Sequence, residues 1–139
     1  MTPKTRAIAV SAVVVAAIVA GIVTLGSPTV QRQRRLDERR VSDLMSIESA
    51  VAVYWQRRDT LPADLTALAK EPGLRPNASD PETGATYDYE ITGADSYRLC
   101  AVFAFDSALD PTAPHGAHAS RWSHGAARHC FELRIPKEE

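Results

Sequence analysis

Four histidines, His115, His118, His124 and His129, fall within fifteen residues, and Cys130 directly follows the last of them. Imidazole and thiolate are the ligands that zinc or copper takes, so this stretch has the residue types of a metal site. The spacing, H-x2-H-x5-H-x4-H-C, matches no closed zinc pattern, and Cys130 has a competing partner in Cys100. The plainer expectation is a polar loop with no bound metal, in which Trp122 and His124 pack on a sheet and the other histidines face water. As a surface, His115, His118, Trp122 and His124 form a candidate interaction loop. A small-ligand or metal-binding envelope domain using residues 115–130 is the alternative function.

Nucleophilic catalysis would need Ser120 or Ser123 beside His124 and an acid such as Asp106 or Asp110. No G-x-S-x-G elbow or comparable frame surrounds these serines, so no enzyme and no cofactor are expected. Sixteen basic and seventeen acidic residues give a formal charge of −1, which offers no footprint for nucleic acid. The two cysteines, Cys100 and Cys130, both lie in alternating segments. In a small tethered domain such a pair predicts one disulfide in an oxidising compartment; two buried free thiols are the alternative.

These residues need elements to hold them, and the organising element is a helix from Val41. Leu44, Ile47, Val51 and Tyr54 recur at steps of 3, 4 and 3, a single helical stripe that forms the core spine. Its cover must come from the β-rich segments that follow. With 6% aromatic residues, a few large side chains such as Tyr87, Tyr97, Phe103 and Phe131 carry the core.

Ahead of the spine, Ala7 to Leu25 is nineteen residues without a charge. At 1.5 Å per residue it reaches about 28 Å, close to the hydrocarbon thickness of a bilayer. It is longer than the usual apolar stretch of a cleaved secretory signal, so a single-pass anchor is expected, with the lipid bilayer as a partner. Ala12, Ala16 and Ala20, like Val13, Ala17 and Gly21, repeat every fourth residue and can admit a second helix, a route to self-association. Ser27 and Pro28 then restart the helix as cap and first position. The following QRQRRLDERR reads as a solvated stalk, with Arg34–Glu38 and Arg39–Asp43 one turn apart and its arginines within reach of lipid headgroups.

The chain accordingly divides into a tail and anchor (1–27), a charged helical stalk (28–40), an α+β domain (41–135) and a polar tail (136–139). Within the domain, Leu61, Leu65 and Leu68 predict a short second helix with Pro62 at its first position, ending by Lys70 and Gly73. A proline-rich loop closes in a turn at Asp80 to Gly84. Tyr87, Tyr89 and Ile91, then Tyr97, Leu99, Ala101 and Phe103, alternate with polar residues about a turn at 92–96, a hairpin signature. Phe131, Leu133 and Ile135 predict a last strand. On this register Cys100 and Cys130 both point away from the aromatic face, and they meet if their strands are neighbours.

With Leu61-Pro62, Asp80-Pro81-Glu82-Thr83-Gly84, Tyr87-Asp88-Tyr89 and Tyr97-Arg98-Leu99-Cys100-Ala101 in this order, the stretch from Leu36 to Phe103 resembles the pilin-like pseudopilins of type II secretion. The resemblance implies a transmembrane helix, an amphipathic spine on a small antiparallel sheet, and a structural or interaction role in the bacterial envelope. It implies no catalytic residues, another envelope protein as partner, and a place in the inner membrane with the domain outside the cytoplasm. Two features depart from that family. The family's glutamate within the hydrophobic run is missing from Ala7 to Leu25, and no prepilin cleavage motif precedes it, so a stand-alone anchored protein is expected rather than a filament subunit. Orientation is also contested: Arg32, Arg34, Arg35, Arg39 and Arg40 follow the anchor and only Lys4 and Arg6 precede it, which by the positive-inside rule favours a cytoplasmic domain.

Overall fold

A computed structural model describes residues 3–25, 27–109 and 121–136. Its elements are α1 (Pro3–Leu25), α2 (Pro28–Arg58), α3 (Leu65–Lys70), β1 (Asp88–Ile91), β2 (Ser96–Phe103), a 3-10 turn (Ser107–Leu109) and β3 (Ala127–Arg134). The chain is α+β and divides into two units, Met1–Gln33 and Arg34–Glu139.

The first unit contains α1, a helix of 23 residues with apolar side chains exposed around its whole circumference. By length and composition it can cross a membrane or serve as a signal sequence. Ser27 starts α2, its Oγ 3.4 Å from the Val30 N–H and its carbonyl accepting from Gln31. This is the expected arrangement of Ser27 as cap with Pro28 just inside.

The second unit holds the core. Its three strands run in the order β1-β2-β3, antiparallel throughout, with Tyr89 opposite Leu99 and Leu99 opposite Phe131. One face of this sheet carries Tyr97, Leu99, Phe103, Phe131 and Leu133, all buried, because side chains two apart share a face. Leu44, Ile47 and Val51 of α2 are fully buried in the same cluster, and Tyr54 packs partly buried at its margin. The α2 helix ends where Asp59 takes a left-handed φ of 52° and donates its N–H to the Trp55 carbonyl at 2.7 Å. A short polar side chain tolerates that conformation better than most.

Three local expectations are corrected. The second helix begins at Leu65, not Pro62, because the Asp64 carboxylate accepts the Ala67 N–H at 2.6 Å and caps it there, while Pro62 is buried in the core. The folded unit begins at Arg34, inside the segment expected to be a solvated stalk, and Asp37 and Arg40 are buried in it. The Arg39–Asp43 pair does not form. Asp43 turns inward and accepts from the Tyr87 hydroxyl and the Asn77 amide, each at 3.0 Å.

Candidate functional site

The two cysteines are joined. Cys100 and Cys130 stand directly opposite each other in the β2–β3 register and form the disulfide, which bridges neighbouring strands on the sheet face away from α2. Around it that face is charged: Arg98 of the central strand reaches Glu90 on one side and Glu132 on the other, and Arg128 pairs with Asp88. Val102 is an apolar exception, 60% exposed.

Two residues of the candidate interaction loop, Trp122 and His124, are buried, as the expectation that they pack on the sheet has them. Trp122 is 4% exposed and lies against Phe131, with ring centroids 4.7 Å apart. His124 is 6% exposed and stacks on Phe103 at 3.6 Å. Burial lowers the His124 pKa from its ordinary 6.5, a shift only partly opposed by the Gly125 carbonyl and by Asp37. Both side chains are anchors of the core, as an aromatic residue before a final strand readily becomes when the sheet needs a lid. His115 and His118 lie outside the described residues.

Three of the candidate metal ligands are engaged elsewhere. Cys130 is in the disulfide, His124 is stacked, and His129 packs edge-on against Phe131 while its Nδ1 accepts the Gly125 N–H. Among the described residues no group of three or more His, Cys, Asp or Glu is placed to hold a metal. The serine reading fares no better. Ser123 Oγ faces Ser107 Oγ at 3.3 Å, Ser107 bonds the backbone of His124 and not its ring, and Asp106 accepts the Ala108 N–H. Ser120 and Asp110 lie outside the described residues.

The strongest polar constellation is one that the sequence reading left in the stalk. Arg40, 4% exposed, extends its guanidinium to three carboxylates: Asp37 at 2.8 Å, Glu82 at 2.9 Å, and Asp80 through both Nε and Nη2. Asp37 in turn accepts the backbone N–H groups of Ala104 and Phe105, just past the end of β2, at 2.9–3.0 Å. Asp80 accepts the N–H groups of Glu82 and Thr83 and so shapes its own turn, which Gly84 closes at φ 71° with its N–H on the Asp80 carbonyl. The Asp80 hydrogen bond leads the interactions that raise the Arg40 pKa against the cost of burial. Burial pushes the Asp80 carboxyl up, but Arg40 and the two turn N–H groups outweigh it and hold the group well below the usual carboxylate range. Burial, with Asp43 beside it, raises the Tyr87 hydroxyl.

This clasp is a ring of carboxylates around one guanidinium. It fixes α2, the Asp80–Gly84 turn and the end of β2 to one another through charge-assisted bonds. Its sequence signal was present: Asp37, Arg40 and Asp43 recur every third residue and run into Leu44 and Ile47, so they lie on the inward side of the same helix. Comparison with protein families, curated proteins and solved structures gave no match to this chain.

Proposed function

We propose that this chain is a non-enzymatic, single-pass protein of the bacterial inner membrane whose pilin-like α+β domain acts outside the cytoplasm as a structural or protein-interaction module related to secretion. The observation that carries the reading is α1. Ile8, Val13, Val15 and Val23 are 59–75% exposed on different sides of a helix that no protein surface covers among the described residues. In water that much uncovered apolar surface is unfavourable, and a bilayer removes the cost. The spine helix on an antiparallel sheet, preceded by an apolar helix, supports the pilin-like part of the reading. The disulfide supports an oxidising compartment.

The absence of an acidic residue from Ala7 to Leu25 supports a stand-alone role, since filament assembly of the pilin kind uses such a residue within the apolar helix. Alkaline extraction of membranes tests the anchor: the full chain stays in the pellet, and release into the supernatant would refute it. Protease treatment of intact spheroplasts tests orientation, with digestion of the domain expected and protection pointing to the cytoplasm. Pull-down from native membranes identifies the envelope partner.

A further inference from the structure

We infer that the outer face of α2 carrying Arg35 and Arg39 binds the headgroups of anionic phospholipids at the membrane surface. The inference rests on the reading of α1 as a membrane anchor. In sequence, Arg32 to Arg40 holds five arginines against Asp37 and Glu38, with Asp43 following, and these acids look able to offset the basic charge. The fold removes that balance. Asp37 and Asp43 are turned into the folded unit, taken by Arg40, backbone N–H groups, Tyr87 and Asn77. Among the described residues of α2 from Arg32 to Asp43, the acid left exposed is Glu38, about 60–100° around the helix from Arg35 and Arg39.

Arg35 and Arg39 are exposed and make no ion pair among the described residues. Elsewhere the chain behaves differently: every arginine from Arg98 onward is paired with a carboxylate. A spacing of four keeps the Arg35 and Arg39 guanidiniums on one face of α2. In sequence they follow Leu25 by ten and fourteen residues, the interval in which basic residues flanking a membrane span meet the charged bilayer surface. A guanidinium matches a phosphate oxygen pair in charge and geometry, which favours the phosphodiester of an anionic lipid without a neutralising amine. The occupant is therefore a phosphatidylglycerol-type headgroup.

The test uses the full chain in non-ionic detergent micelles, supplied with equal amounts of phosphatidylglycerol and phosphatidylcholine and examined by native mass spectrometry. Phosphatidylglycerol should be retained about tenfold over phosphatidylcholine, and the R35Q/R39Q variant should lose that preference with unchanged Trp122 fluorescence. A variant losing equal charge elsewhere, R57Q/R58Q, should keep it. Equal retention of both lipids, or a preference that persists in R35Q/R39Q, would overturn the proposal and leave the face to an acidic protein. Displacement of the lipid by inorganic phosphate would also overturn it, by revealing a free-anion site. Flotation with pure phosphatidylcholine vesicles in high salt reads α1 alone, and a chain that fails to float would overturn the anchor and the lipid site together.

Discussion

Arg40 and Asp80 are forty residues apart in sequence and meet side-on, Nε on Oδ2 and Nη2 on Oδ1. Asp37 and Glu82 complete the ring of carboxylates around the same guanidinium. One buried cation thus serves several buried or half-buried anions, and removing it leaves all of them without their counter-charge.

Replacing Arg40 by Met should therefore cost about 3–5 kcal/mol, the usual consequence of breaking a buried ion pair from one side. In a folded unit of this size that lowers the melting temperature by more than about 12 °C. Arg39→Met, one residue away and unpaired, should stay within about 0.5 kcal/mol. Trp122 fluorescence during thermal unfolding distinguishes the two, because that indole is buried only in the folded unit. Similar melting points would show that the clasp contributes nothing.

The spine gives a second contrast. Val51 is fully buried, so Val51→Asp places a charge without a partner in the core and should unfold the domain at a cost of several kcal/mol. Arg57 is exposed, touching Glu71 and the Pro72 carbonyl, and Arg57→Asp should cost less than about 1 kcal/mol. Denaturant titrations of the two variants check the face assignment.

Stability should fall in two steps as the solution is acidified. His124 titrates near 6.5 when unfolded and lower when folded, so below pH 6.5 the unfolded chain holds more protons and is favoured. Asp80 has an ordinary value of 3.8 and is held lower in the folded unit, so the stability from its clasp is complete above that range and is lost as pH drops below it. His124→Asn should flatten the upper step and Arg40→Met the lower one. Midpoints of denaturant unfolding across pH 3–8 read both.

Reduction of Cys100–Cys130 should destabilise the unit by about 3.5 kcal/mol, the chain-entropy value for a loop of this length. Alkylation of the unreduced native protein should leave both cysteines unmodified, and mass spectrometry reads the result. Two alkylated thiols would contradict the extracytoplasmic placement.

The hydrophobic elements were legible in the sequence because each buries a periodic stripe. Leu44, Ile47 and Val51 announced the spine, and the alternation from Tyr87 to Phe103 announced the hairpin. The cysteine pairing was expected with two free thiols as its alternative, and the placing of β2 beside β3 decides between them. The clasp was not legible by the same means. Arg40 and Asp37 read as solvated because charge usually means surface, and only the tertiary placement of Asp80 and Glu82 makes their burial favourable. Trp122 and His124 were read both as packed on the sheet and as part of an interaction loop, and their stacking over Phe103 and Phe131 favours the first. For Asp37 and Asp43 the helical phase was informative, and charge was allowed to override it.

Ser107 and His124 bond to each other through the Ser107 N–H on the His124 carbonyl and the His124 N–H on Ser107 Oγ, while Asp37 holds the chain just ahead at Ala104 and Phe105. The excursion between β2 and β3 is thus stapled at its base, and Arg121 is tied to Glu48 on its return. The bonds that Ser107 and His124 exchange hold the two ends of this excursion together without a covalent link, the part that the Cys100–Cys130 bridge plays covalently for the strands beside it.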